Sequence, residues 1–323
     1  MAVNIPLANR IANFPRAPVT PLAENAHVVL VVCLLTATLF RRYILEIILP
    51  RIPGFGFAQL NARNKKSLLN SIMHLIIRLA SLFSVIPAFV MILAGKANFS
   101  TTFTTKGPTF GTMLMASLIL MCSIYIHEII YREHMSFITL VHHIGTVAVG
   151  AYAILFSLEW EREKCTQAYF AVCCLFGFFD VITEFWITLS FVICTIYKQD
   201  HHVRYLTCAW AAGLQTLGTL VELPLVFVVF YSADMRNIWP LEFEIVTPIL
   251  YIIFLTAQCF CVLQFFKMAK RQRGEWMEEM RRKRDGDVEI PKTYSETASD
   301  QSVVTELPMD GEKNTAVEIR QKD

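Results

Sequence analysis

The sequence predicts an all-α fold, a polytopic integral membrane bundle of about seven transmembrane helices. Hydrophobic residues make up 54% of the 323 positions and charged ones 17%, a composition suited to a chain whose surface is apolar as well as its core. The apolar residues gather into long blocks instead of recurring at amphipathic spacing. Several of these blocks reach the ~20 residues that a helix needs to cross a hydrocarbon core of ~30 Å.

The first block, 27–49, is interrupted by Arg41 and Arg42, so it is expected to be short and partly interfacial. Ahead of it, residues 1–26 carry Arg10, Arg16 and several prolines. They lack a compact apolar region followed by a cleavage site, so the first helix is expected to stay as an anchor. The blocks 67–94, 109–131 and 137–157 each suffice for one crossing. Block 167–197 is longer than one perpendicular crossing requires, which predicts a tilt or a break near Gly177. Blocks 203–231 and 245–268 complete the set. From Lys267 the segment KMAKRQRGEWMEEMRRKRDGD reads as a charged helical extension. The remainder of the chain is rich in Ser, Thr, Glu and Asp and poor in aromatics, so the last thirty or so residues are expected to be disordered.

Lys and Arg in the short connections set the orientation. Arg41 to Lys66, the turn at Arg132, the turn from Lys198 to Arg204 and the tail after Lys267 fall on one face, which the rule makes cytoplasmic. The amino terminus is then lumenal or outside, and the carboxyl terminus cytoplasmic. Asn98-Phe99-Ser100 is a glycosylation acceptor pattern on the expected lumenal side. The basic cluster after the last span suits anionic headgroups or simply fixes topology, and Thr297 with Asp300 has the form of an acid-directed phosphorylation site. A net charge of +2 points to no nucleic-acid partner. The nine cysteines describe no disulfide framework and no zinc spacing, and are read as small packing residues. No metal site is expected, and His201 and His202 are assigned to a solvated turn.

The chemistry must lie in polar residues inside the spans. A charge at the bilayer centre costs about 2.5 to 3.5 kcal/mol even on the mildest scale, yet the spans carry Arg78, Asp180, Glu184 and Glu222. They also carry His74, His127, Glu128, His142 and His143. Helical spacing groups them: Asn70, His74 and Arg78 recur every fourth residue, Asp180 and Glu184 share a face, and Glu128 precedes Arg132 in the favourable order. Gln215 and Glu222 share a face as well. His142 and His143 point ~100° apart, so only one is expected to face a given cavity fully, and Thr146 lies one turn above them. Polar stripes on four helices imply an inward-facing polar chamber. The plainer alternatives are interhelical hydrogen bonds for the histidines, a structural ion pair between Arg78 and Asp180 or Glu184, a satisfied core histidine at His74 and a kink cap at Glu222 before Pro224.

These residues resemble a family. HHIGT, from His142 to Thr146, is similar to the HHxxT that opens the signature of the TLC-domain proteins, the group of ceramide synthases and translocating-chain-associating membrane proteins. Asp180-Val181-Ile182-Thr183-Glu184 resembles the DxxLE that closes it in ceramide synthases, ARNKKSLLNSIMHLI is similar to the opening of such a domain, and FFKMAKRQR to its basic stop. The likeness divides the chain into a lumenal segment 1–26, a first helix and basic loop 27–59, a TLC-like domain 60–272 and a cytoplasmic tail 273–323. It implies a six-helix bundle around a cavity that binds or modifies an acyl lipid in the endoplasmic reticulum or a connected membrane. His142, His143, Asp180 and Glu184 are the implied catalytic set, with His74, Arg78, Thr146 and Glu222 as polar residues of the lipid cavity.

The departures limit what carries over. Phe176 and Gly177 stand where the ceramide synthase signature has a His-Asp pair, and the charged loop Glu159 to Lys164 lengthens the spacing from His143 to Asp180. Whether the protein is an enzyme therefore stays open. No cofactor is expected, save acyl-CoA if it is an acyltransferase. The alternatives are a non-catalytic translocation or cargo-binding protein, with a membrane-protein partner or a second copy, and a seven-helix receptor, suggested by Tyr131-Arg132-Glu133 at the end of the third span.

Overall fold

The structure is a computed structural model that describes residues 20–52, 57, 60–132, 135–158, 166–231 and 241–285. Arg10, Arg16, Glu133, the 159–164 loop, Cys165 and the tail with Thr297 and Asp300 lie outside the described residues. Seven helices among the described residues are long and apolar enough to cross a membrane. The first span, Ala26–Arg51, begins with α1 (Ala26–Leu39) and continues through a π-helical turn and two short helical pieces; the others are α2 (Ala62–Leu93), α3 (Phe110–Tyr131), α4 (Phe137–Leu158), α5 (Thr166–Ile196), α6 (His201–Tyr231) and α7 (Leu241–Arg284). A short helical stretch, Thr20–Glu24, precedes α1. The chain is an all-α integral membrane bundle.

Local chemistry starts these helices where they start. The Asn61 side chain accepts from the Asn64 N–H at 2.8 Å ahead of α2, and the Thr109 hydroxyl from Thr112 N–H at 3.1 Å ahead of α3. Ser136 and Asp200 do the same for α4 and α6, accepting from Thr139 and Val203. Each cap satisfies a backbone donor that the first turn leaves over. At the far end of α2 the chain turns through Gly95 at φ 68°, a left-handed conformation that glycine adopts without a Cβ clash.

Arg41 and Arg42 fall on a π-helical turn, Phe40–Leu45, that continues α1. Arg42 pairs with Glu46 at 2.8 Å, and the Arg41 guanidinium lies 5.4 Å from the Tyr131 ring centroid, so both charges find partners at the end of the span. The expected break near Gly177 does not occur: α5 runs unbroken through it. One helical glycine costs only ~1 kcal/mol relative to alanine, and here it lets the Leu118 side chain approach. α7 continues through the charged extension to Arg284, 44 residues in all, or about 66 Å at 1.5 Å per residue, twice the thickness of a hydrocarbon core.

Helices α2 to α7 close into a ring in the spatial order α2, α3, α4, α7, α6, α5, with α5 also touching α3 and α4, and α1 packs outside against α3. Val28, Val31, Val32, Leu35 and Leu39 of α1 are each at least 50% exposed, which suits a lipid-facing helix. One half of the ring is an aromatic core built on Phe89, Phe110, Tyr169, Phe170, Phe230 and Phe254. The other half, toward the starts of α2, α4 and α6, holds the buried polar residues. The eight cysteines among the described residues are all free, and five of them are buried.

The close approach of α3 and α4 depends on Gly150, where an added Cβ would stand 2.2 Å from Cys122 Sγ. Gly150→Ala is therefore expected to destabilise the bundle by about 1–3 kcal/mol through overpacking. Gly213→Ala, with nothing within 4 Å of the new methyl, should be neutral or slightly stabilising. Thermal unfolding of both variants in detergent checks the contrast.

Candidate functional site

The stripes predicted on α2, α3, α4 and α5 converge. On α2, Asn70, His74 and Arg78 line one inward face, and all three are buried. On α5, Asp180, Glu184 and Thr188 form the facing stripe at four-residue intervals. Tyr125 and Glu128 come from the last turns of α3, and His142, His143 and Thr146 from the first half of α4. Below Arg78 in the bundle, α6 and α7 add Glu222 and Gln258.

The contacts form two connected tiers. In the upper tier, nearer the basic end, Glu128 is the hub. Its Oε1 pairs with Arg132 at 2.5 Å, and its Oε2 lies 3.1 Å from His143 Nε2 and 3.2 Å from His74 Nδ1. In the lower tier Arg78 is the hub. It donates to the Glu184 backbone carbonyl at 3.0 Å, to the Thr188 hydroxyl, to Glu184 Oε2 and, at 3.4 Å, to the Tyr125 hydroxyl. Tyr125 in turn donates to Asp180 Oδ2.

His142 enters between the two carboxylates that these donors anchor. Its Nε2 lies 2.9 Å from Glu184 Oε1 and 3.1 Å from Asp180 Oδ1, yet neither ring nitrogen has a partner aligned for a hydrogen bond. One N–H cannot point at two oxygens at once, so the contact is a convergence of charge and lone pairs around the ring edge. The His142 ring packs edge-on to Tyr125 and Phe254, at 6.0 and 5.4 Å between centroids.

The structure places each predicted residue. His142 and His143 are both buried, facing different carboxylates as their ~100° separation on the helix requires. Arg78 chooses Glu184 over Asp180. His74 shares Glu128 through Nδ1, and its Nε2 has no partner. Thr146 donates to the His142 carbonyl at 3.1 Å and lines a cavity of about 20 Å³ with Asp180, Glu222 and Gln258. Glu222 does more than cap a kink: Gln258 donates to its Oε2 at 2.8 Å, and Thr219 orients that amide by donating to Gln258 Oε1 at 2.8 Å. His201 contacts Gln272 and Glu275, each at 3.0 Å, on the extension of α7. Asn98 lies apart from the chamber, its Oδ1 accepting from the Ser100 hydroxyl at 2.7 Å and from Thr101 at 3.0 Å.

A cavity of about 150 Å³ sits against the upper tier. Arg63, Lys66 and Arg132 line it at the basic end, and His74, His143 and Glu184 line it deeper. From α5 and α7 it takes an apolar strip of Ile187, Phe191, Phe265 and Met268, interspersed with Thr188, Thr195 and Gln264. Of the adjacent histidines only His143 reaches this cavity. Three residues of the chamber carry little or no signal in the sequence: Tyr125, Thr188 and Gln258. Thr188 extends the Asp180–Glu184 stripe by one more turn and is findable on that ground. Tyr125 extends the Glu128–Arg132 stripe by one turn but is lost among apolar neighbours because its ring is itself largely apolar, and Gln258 stands on a helix face with no such stripe.

Compared with protein-family models, with curated proteins and with solved structures, the chain matches none.

The Arg78–Glu184 pair can be tested directly. Arg78→Leu and Glu184→Leu each leave a buried charge uncompensated and should cost about 3–5 kcal/mol. The double variant should lose less than the sum of the two, because neither charge remains. Thermal denaturation of the four proteins in detergent gives the cycle, and additive losses would count against the pairing.

Proposed function

We propose that the chain is a TLC-type membrane protein of lipid metabolism or lipid homeostasis that takes the polar end of an acyl lipid into the chamber. The observation that carries this reading is the mixed lining of the larger cavity: basic groups at one end, imidazoles and carboxylates deeper, and an aliphatic and aromatic strip of Ile187, Phe191, Phe265 and Met268 contributed by α5 and α7. That combination matches an amphiphile. A volume of about 150 Å³ is the size that holds a benzene-like ligand, so it fits a headgroup or the reacting end of a chain, with the rest of the lipid lying along the apolar strip.

His143 with Glu128 borders this space, and His142 with Asp180 lies behind it through the shared Glu184. A histidine held by a carboxylate can serve as base or nucleophile, which is the chemistry that acyl transfer to or from a hydroxyl or amine requires. The resemblance to ceramide synthases stops at Phe176 and Gly177, which wall the smaller cavity beside Asp180. The reading is therefore lipid handling at this centre, without a commitment to ceramide synthesis.

Lipid profiling of cells that lack the protein, rescued by wild type or by His142→Ala/His143→Ala expressed at equal level, tests it. One acyl-lipid class should shift and return only with wild type. Full rescue by the double variant would assign the histidines a structural role and turn attention to a protein partner, the translocation or cargo-binding alternative.

The orientation belongs to the same proposal, with Arg63, Lys66, Arg132 and the α7 extension on the cytoplasmic face of the endoplasmic reticulum or a connected membrane. Asn98 then lies in the lumen. The protein made in cells should lose apparent mass on endoglycosidase treatment, and Asn98→Gln should not; a glycosylation-free wild type together with a protease-protected α7 extension would reverse the topology.

A further inference from the structure

From the side-chain geometry we infer that the chamber holds a divalent transition-metal ion, of which zinc is the representative, on His142, His143 and Glu184. Each of these residues offers one ligand atom, and the three atoms lie within 4.8 Å of one another. In a tetrahedral zinc site, ligands ~2.0–2.1 Å from the ion stand about 3.3 Å apart. His142 Nε2 and Glu184 Oε1 are already 2.9 Å apart, and modest side-chain rotation closes the third corner. Two imidazoles and one carboxylate are a donor set that suits zinc and iron.

Two further observations point to a cation. The first is the unmet bonding capacity of the rings. His142 and His143 have side chains only 8% and 2% exposed, yet Nδ1 of neither ring has a hydrogen-bond partner, and Nε2 of His142 meets two carboxylate oxygens without an aligned hydrogen bond. Buried polar atoms normally have one, and an imidazole nitrogen short of a hydrogen bond is a metal ligand by nature. The second is the outer ring of partners. Glu128 stands 3.1 Å from Nε2 of His143, which leaves Nδ1 of that ring for an ion; Asp180 stands 3.1 Å from the same His142 Nε2 that faces Glu184, a second carboxylate on the ion's side; and Arg78 and Tyr125 anchor the far oxygens of Glu184 and Asp180. A carboxylate behind a metal-bound histidine is the arrangement that orients such a ligand.

The charges agree. Arg132 offsets Glu128 and Arg78 offsets Glu184. Among the described residues, Asp180 and Glu222 have no guanidinium partner; Asp180 is held by Tyr125 and His142, and Glu222 by Gln258. The chamber thus holds carboxylates that no guanidinium offsets, a setting that favours a cation. No spacing in the sequence betrays the site, because its ligands come from adjacent positions on α4 and from α5. The inference goes beyond lipid binding and does not depend on it: the ion would polarise a carbonyl or a bound water beside the cavity.

The test uses the full-length protein without a histidine tag, delipidated in detergent, so that its outcome is separate from that of the lipid reading. After metal removal by a chelator, the protein is given zinc or cobalt(II), passed through a desalting column and measured by elemental analysis. We expect about one metal per chain and, with cobalt, the visible absorption of a four-coordinate N/O site. His142→Ala/His143→Ala and, separately, Glu184→Gln should reduce retained metal at least tenfold, while His201→Ala/His202→Ala should retain it. Size-exclusion profile and helical circular dichroism select variants that remain folded. The inference is overturned by retention below one tenth of a metal per chain in the folded wild type, by equal retention in the folded His142/His143 variant, or by loss confined to the His201/His202 variant.

Discussion

The rest of the chamber depends on one constraint: a guanidinium that is 1% exposed in the middle of α2. Arg78 has five N–H donors and no acceptor, and hydrocarbon offers nothing to receive them. Every partner must come from a neighbouring helix. Glu184 and Thr188 supply three acceptors from α5, and Tyr125 a fourth from α3. The partners are spread over two helices, so a slip of α5 by one turn would strand the charge. Tyr125 passes the constraint on to Asp180, and the two anchored carboxylates together fix the place of His142. Arg78 thus positions a residue on α4 that it does not touch.

The same logic explains why the polar residues are gathered instead of scattered. A lone carboxylate at mid-bilayer would cost a few kcal/mol, and several of them would approach the stability of a whole domain. Placed within hydrogen-bond reach of one another's partners, they share the same few donors: Glu128 serves Arg132, His143 and His74 with two oxygens. Glu222, too far for Arg78, is met by an amide from α7 that a threonine hydroxyl orients. The chamber that sets helix register is therefore the same cluster that forms the candidate site, and removing one side chain disturbs both.

Much of this is legible in the sequence, for a physical reason. Length and apolarity identify membrane helices because lipid forces every backbone group into an internal hydrogen bond, and the helix limits follow the predicted blocks to within a few residues, except at the α2 start and the charged end of α7. The stripes are legible because ionisable residues in such blocks are rare and the helical repeat puts every fourth one on the same face. Illegible are the contacts that need the third dimension. The choice of Glu184 over Asp180 by Arg78, the sharing of Glu128 by two histidines and the convergence of His142, His143 and Glu184 depend on how the helices rotate against one another, where α4 packs closely on α3 at Gly150 and meets Phe254 of α7 at His142. The continuity of α5 through Gly177 escapes a local reading because propensity is weaker than the packing around it.

The distribution of polarity along the bundle bears on what the chamber can do. From Val85 to Ile92 on α2, and at matching depth on α3, α5 and α6, the interior is apolar, with Phe99 edge-on to Phe170 at 5.4 Å and Phe230 beside Phe243 at 6.1 Å. Among the described residues the polar path runs from Arg63 and Lys66 through the larger cavity and the two tiers to Glu222, and ends there against that core. A water-filled route across the bilayer would need polar lining at both ends, and a transporter would place its site between two matching halves. Neither is present among the described residues. A pocket sealed by aromatic rings on one side and ringed by basic residues on the other admits a molecule from one face or from the plane of the membrane and returns it the same way. The polarity of the chamber is thus one-sided among the described residues, with its charged groups gathered toward the basic end and its far end closed by aromatic packing.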